Sequence, residues 1–129
     1  MKKILLILLL IPFIGFSQTN FSCNFKEFCE WDEVSEEWKQ DCNYFENHSL
    51  FEMNKGETMF IHTTEKMKST YYIKEKLSAQ DNQFAYNVVS DVGNEYFFLF
   101  DIKNKEVKAI TNDENENSVL IRWYVKSIF

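Results

Sequence analysis

From residue 49 to the C-terminus, apolar and polar side chains alternate with a period of two, the pattern of β-strands with one buried face. Short polar segments interrupt this alternation at regular intervals, as hairpin turns do. We predict seven strands, at residues 49–53, 58–64, 70–77, 84–90, 95–102, 106–111 and 118–126. Because the connections are too short for crossover helices, consecutive strands must be antiparallel neighbours in a meander.

A meander of this length with an aromatic face does not stay flat and open in water. The chain contains 13 Phe, 6 Tyr and 3 Trp, enough large side chains to fill a core. We therefore predict an all-β domain whose antiparallel meander closes into a small barrel, because a sandwich usually needs Greek-key connections. The strand order resembles that of calycin barrels. The G-x-W motif of lipocalins is absent, since Cys29 and Glu30 precede Trp31, so the resemblance implies a fold and no function.

The first seventeen residues predict export. Two lysines precede an apolar run at 4–16, and the small residues Gly15 and Ser17 stand at positions −3 and −1 of a cleavage site before Gln18. The run is shorter than the ~20 residues of a membrane-spanning helix, so we expect no membrane span. The sequence thus predicts a signal peptide at 1–17, a single domain at 18–129, and a periplasmic or secreted protein.

Three cysteines lie near the start of the domain. In an oxidising compartment we expect one disulfide, between Cys29 and Cys42, with Cys23 left over close to a chain terminus. Attachment of a lipid to Cys23 is disfavoured, because a lipobox needs a branched apolar residue at position −3 and Asn20 stands there.

The segment 24–42 is compatible with two structures. A short helix would carry five side chains on one face: Phe28, Trp31, Ser35, Trp38 and Cys42. A hairpin would instead place Trp31 and Trp38 on two strands flanking residues 32–36. In either structure we expect the two Trp side chains to cap the barrel or to cover the strand at 95–102, which is apolar on both faces.

The net charge and the lack of known catalytic motifs limit the classes of function that the sequence allows. Without the predicted signal peptide the net charge changes from −6 to −8, which disfavours binding to nucleic acid and favours a basic partner. The chain has no G-x-S-x-G or H-E-x-x-H motif, and we expect no cofactor. We predict a non-catalytic binding module for a small apolar or anionic ligand or a protein partner. The alternative is an inhibitor or immunity-type protein that blocks a basic enzyme.

Arg122, the only arginine, is the first candidate binding residue. If its face of the last strand lines the barrel interior, Arg122 would orient an anionic ligand together with Tyr124 and Tyr72. The opposite face carries Trp123 and is the more apolar of the two. We therefore expect Trp123 to be buried and Arg122 to face solvent.

The two histidines, His48 and His62, are weak candidates for a metal site. If residues 54–56 form a type I turn followed by Gly56 in the left-handed conformation, His48 lies opposite His62, close enough for a shared metal ion. A change of one residue in the loop would place the two imidazoles on opposite faces. No third ligand is fixed by spacing, so we predict no metal.

Overall fold

The computed structural model describes residues 19–39, 42–77, 80, 82–112 and 114–129. The predicted signal peptide and its cleavage site lie outside these residues. The described chain forms nine strands: β1 (Thr19–Asp32), β2 (Glu37–Trp38), β3 (Asn43–Met53), β4 (Met59–Thr63), β5 (Lys68–Leu77), β6 (Gln83–Ser90), β7 (Glu95–Asp101), β8 (Glu106–Asn112) and β9 (Ser118–Ile128).

Strands β3 to β9 follow one another as an antiparallel meander, and β1 pairs with both β3 and β9. This double pairing closes an eight-stranded barrel, while the two-residue strand β2 pairs with β1 outside it. The predicted all-β meander barrel is confirmed. The seven predicted strands correspond to β3–β9, and the largest difference is that β3 begins at Asn43, in a polar, mostly exposed stretch where alternation is hard to see.

The hairpin alternative for segment 24–42 is the one observed. Trp31 lies opposite Trp38, and their rings meet edge to face with centroids 5.1 Å apart. The predicted Cys29–Cys42 disulfide is present, and Cys23 is free and buried. Each of the two Trp rings packs against the other. The outward side chains of β7, at positions 97 and 99, remain partly exposed, so β7 is not covered on both faces.

The barrel interior is filled by aromatic side chains. Trp123 is 3 % exposed and stacks on Phe98 with centroids 6.0 Å apart, which confirms that this face of β9 is the buried one. A barrel of eight strands has an interior just wide enough for side chains to fill it. The largest fully buried rings are those of Phe51, Phe60, Phe98 and Phe100.

The turn between β3 and β4 differs from the prediction. The left-handed residue is Glu57 (φ 53°) and not Gly56. The Asn54 side chain organises a longer loop, because its Oδ1 accepts hydrogen bonds from the backbone N–H groups of Thr58 (2.9 Å) and Met59 (3.3 Å). Met53 consequently pairs with Phe60, and each of the four residues of β3 that pair with β4 meets a different partner from the one predicted.

Candidate functional site

One end of the barrel opens into a cleft of about 520 Å³, which we call the mouth cleft. Its walls come from β1, β3, β4 and the turn between β4 and β5. It is lined by Lys26, Glu46, Asn47, His48, His62, Thr64, Glu65, Lys66 and Met67. Most of these side chains are polar or charged, whereas the interior beneath the cleft is aromatic.

Lys26 enters the mouth cleft because the pairing of β1 is irregular. Between Cys23 and Phe25 the register shifts against both neighbouring strands. Beyond the shift, Lys26 lies opposite Trp123 on β9 and Phe45 on β3. Its side chain therefore lies on the interior side, with Nζ 5.6 Å from the centroid of the Trp123 ring and 6.0 Å from that of Phe45.

The Lys26 ammonium has no carboxylate partner among the described residues. Burial lowers its pKa from the ordinary value for lysine. The faces of the two aromatic rings partly compensate, since their quadrupoles attract a cation. They accept no conventional hydrogen bond, so the three N–H donors of this ammonium remain available to a ligand.

His62 forms part of the wall beneath Lys26. The residue is 5 % exposed, and its ring lies flat on Phe51 with centroids 4.2 Å apart and edge-on to Trp123 at 5.3 Å. Burial, together with the positive charge of Lys26, lowers its pKa to about 4. The imidazole is therefore neutral at neutral pH, and its Nε2 is buried with no hydrogen-bond partner in the described part of the chain.

His48 stands at the exposed rim, where its Nε2 lies 3.0 Å from Glu46 Oε1. The predicted pairing of His48 with His62 is wrong, because His62 lies opposite Phe51 and faces inward. The extra length of the β3–β4 turn accounts for this change of register. Among the described residues one group has the spacing of three metal ligands, Glu27, Cys29 and Cys42, and its two cysteines are joined in the disulfide.

Arg122 and Tyr124 come together on the outer face of β9. Arg122 Nη1 donates to Glu27 Oε1 at 2.7 Å, and the Tyr124 hydroxyl lies 3.5 Å from the same oxygen. A second carboxylate, that of Glu106, lies 3.5 Å from Arg122 Nε. The guanidinium is thus half-buried between two strands and already paired. Tyr72 lies apart, on β5, and is 49 % exposed.

A second cleft, of about 250 Å³, lies at the opposite end of the barrel. Its walls are largely apolar and include Phe21, Met53 and Phe84. On this wall the Tyr86 hydroxyl donates to Glu57 Oε2 at 3.1 Å, and Lys76 Nζ lies 2.9 Å from the same oxygen. Of the charged side chains that line this end within the described residues, Glu57 is partly buried and paired, whereas Lys26 in the mouth cleft has no carboxylate partner there.

Sequence reasoning missed Lys26. Regular alternation through Phe21 and Cys23 places Phe25 inside and Lys26 outside, but the register shift reverses the two. The sequence does carry a sign of this irregularity: Phe25 and Phe28 are three positions apart, whereas side chains on one face of a regular strand are two positions apart. Such a break indicates that a bulge exists, but not which side chain it turns inward.

The fold and the mouth cleft together define a small, disulfide-tied closed meander barrel with a charged opening. No known protein family, curated protein or solved structure matches the chain. Within the described residues, no helix has the length and apolar character needed to cross a membrane.

Proposed function

We propose that this protein is a non-catalytic binding module that holds a small ligand in the mouth cleft. The observation that carries the proposal is the Lys26 ammonium, which lies between two aromatic rings without a counter-charge among the described residues. A filled interior supports a ligand bound at the end of the barrel and not within it. Binding pockets typically combine an apolar wall with a few convergent polar groups, and Lys26 with His62 fits that description.

The experiment is native mass spectrometry of the purified protein, followed by ligand-detected NMR with a small-molecule library. We expect a bound species, or library hits, whose binding is lost in Glu65→Trp, because the new indole fills the cleft. Glu75→Trp, an exposed site on β5 outside the cleft, is the matched control and keeps binding. Hits that survive Glu65→Trp, or the absence of any bound species and any hit, would contradict the proposal.

We also propose that the module acts in the periplasm or outside the cell. Its support is the predicted signal peptide together with the Cys29–Cys42 disulfide, which is consistent with an oxidising compartment. Intact-mass analysis of the exported protein should find a chain that begins at Gln18, with the N-terminal glutamine cyclised. A chain that retains residues 1–17 would contradict export by cleavage.

The β1–β2 hairpin favours a second candidate function, an inhibitor or immunity-type protein that blocks a basic enzyme. Val34 at the hairpin tip is 96 % exposed. The disulfide and the Trp31–Trp38 pair hold the hairpin rigid before any partner binds, which lowers the entropic cost of association. The acidic residues around Val34 are Glu30, Asp32, Glu33, Glu36 and Glu37.

This candidate is tested by affinity capture with the full chain as bait. A basic partner should be released by moderate salt and should be lost with the triple variant Glu33→Gln, Glu36→Gln, Glu37→Gln. The control, Glu114→Gln with Glu116→Gln, removes charge from the turn before β9 and should retain the partner. Equal capture by both variants would rule out the hairpin as the binding surface.

A further inference from the structure

Three side-chain nitrogens in or next to the mouth cleft lack a partner among the described residues: Lys26 and His62 line the cleft, and Trp123 lies behind them. The Lys26 ammonium lies over the faces of the Phe45 and Trp123 rings, and the described residues include no carboxylate partner for it. Within the same residues, the side-chain nitrogens His62 Nε2 and Trp123 Nε1 are buried without partners. The His62 and Trp123 rings lie 5.3 Å apart, and the Lys26 ammonium lies over the second of them. Buried polar groups without partners are rare and costly, and their clustering indicates a site built to receive an acceptor.

We propose that the mouth cleft binds the carboxylate of a small monoanionic ligand, with Lys26 as the residue that recognises the charge. This inference rests on the proposed function and specifies its ligand class. A carboxylate oxygen accepts a charge-assisted hydrogen bond from Lys26 Nζ, the strongest polar contact that the cleft offers. The neutral imidazole of His62, in the same wall, gives the carboxylate a polar neighbour that does not repel it.

The other charges at the cleft agree with an anion of single charge. Glu46 lies within hydrogen-bond distance of His48 at the exposed rim, while Glu65 and Lys66 lie exposed on the β4–β5 turn and oppose one another in sign. Lys26 is therefore the half-buried charge that a ligand meets inside the cleft. A cation would be repelled by it, and a neutral ligand would leave it without a counter-charge.

Two exposed apolar side chains near Lys26 offer a contact surface for an apolar part of the ligand. Met67, on the cleft wall, is 53 % exposed, and Phe45, beneath the Lys26 ammonium, is 44 % exposed. Met67 shares the cleft wall with Lys26, and the centroid of the Phe45 ring lies 6.0 Å from Lys26 Nζ. Covering them removes apolar surface from water, which adds to the affinity that the charge provides.

The first experiment compares acids with their neutral amides on the unaltered protein. Phenylacetate and octanoate are titrated against phenylacetamide and octanamide, with binding followed by NMR. We expect each carboxylate to bind at least about tenfold more tightly than its amide, the effect of one charge-assisted hydrogen bond. The aromatic and alkyl pairs also show which shape of apolar body the cleft accepts. Equal affinity of acid and amide would overturn the carboxylate inference while leaving the proposed binding function intact.

The second experiment replaces the charge. Lys26→Met keeps an unbranched side chain one atom shorter than lysine and removes the charge, so it should weaken phenylacetate about tenfold without weakening phenylacetamide. Lys103→Met, in the exposed turn between β7 and β8, is the control and should change neither. A bound carboxylate should also raise the pKa of His62, measured from its ring proton shifts. If Lys26→Met retains full acid affinity, or His62 does not respond to bound phenylacetate, the carboxylate lies elsewhere and the inference fails.

Discussion

At the scale of single residues, His62 makes the stability of the fold depend on pH, because its imidazole is buried. Its ring fills space between Phe51 and Trp123 as an apolar side chain would, but it retains a basic nitrogen. The charged groups nearest to it on the cleft wall are Lys26 on β1, Glu46 and His48 on β3, and Glu65 and Lys66 on the β4–β5 turn. Of these, Lys26 contributes to lowering the pKa of His62, after burial itself.

This lowered pKa predicts a loss of stability on acidification. Because the pKa of His62 falls from 6.5 to about 4 on folding, the unfolded chain binds the proton more tightly. The contribution of the neutral His62 imidazole to the free energy of unfolding is therefore present above pH 6.5 and declines as the pH falls toward 4. At pH 5 the decline amounts to about 2 kcal/mol. Urea unfolding at pH 7 and pH 5 measures it, and His62→Phe should remove this component.

His48→Gln is the matched control for that measurement, because His48 lies exposed at the rim of the same cleft. It should leave the difference between pH 7 and pH 5 unchanged. The same pH dependence in His62→Phe and in the unaltered protein would show that other groups, and not His62, cause the acid sensitivity.

Arg122 is more important to stability than its predicted solvent exposure implied. Replacing a solvated arginine by alanine changes the free energy of unfolding by no more than ~0.5 kcal/mol. The structure instead places the guanidinium 2.7 Å from Glu27 and 3.5 Å from Glu106, so it joins β1, β8 and β9. We expect Arg122→Ala to cost about 1–2 kcal/mol, measured by urea unfolding, since it leaves the partly buried Glu27 carboxylate without a cation, while Glu106 keeps Lys108 at 3.4 Å.

A double-mutant cycle of Arg122→Ala with Glu27→Gln checks the cause. The coupling should fall as salt is added, because the pair is only partly buried. A coupling near zero would assign the lost stability to packing of the arginine stem instead.

At the scale of elements, the sequence predicts strands β3–β9 well, but it does not predict strand β1, which closes the barrel, and it predicts register poorly. The period of two is a property of the chain itself, which is why β4–β9 begin and end close to the predicted residues. Register depends on the length of each turn, and the side chain of Asn54 sets that length through hydrogen bonds that no composition rule specifies. The bulge that turns Lys26 inward likewise depends on two neighbouring strands at once. The predicted candidate residues Arg122, Tyr124 and Tyr72 therefore lie away from the cleft that the fold creates.

The β1–β2 hairpin is the element most dependent on a covalent bond. The disulfide joins residues 13 positions apart and encloses the whole hairpin. A loop of this length predicts a stabilisation of ~3 kcal/mol in the chain-entropy model. Cys29→Ala with Cys42→Ala should lower the free energy of unfolding by that amount. A loss well below 1 kcal/mol would show that the Trp31–Trp38 pair holds the hairpin without the bridge.

At the scale of the whole molecule, the aromatic interior connects strands far apart in sequence. The Phe51 ring on β3 contacts Trp123 on β9 at 5.0 Å, Phe100 on β7 at 6.0 Å and Phe60 on β4 at 6.3 Å between centroids. The terminal strands are joined as well, since the backbone N–H of Asn20 donates to the carbonyl of Phe129 at 2.7 Å. A closed barrel with one shared core leaves no strand that can separate alone, so its unfolding should be two-state.

Trp123 tests this cooperativity because it joins the core to the mouth cleft. Trp123→Ala removes a fully packed ring and should cost ~3–5 kcal/mol, a large share of the ~5–15 kcal/mol that stabilises a domain of this size. The same substitution at Trp31, whose ring packs on Trp38 outside the barrel, should cost at most about 1 kcal/mol. Urea unfolding followed by far-UV circular dichroism compares the two variants. Similar losses would mean that the hairpin and the barrel form one cooperative core, whereas a much larger loss for Trp123→Ala assigns the stability of the molecule to the closed aromatic interior.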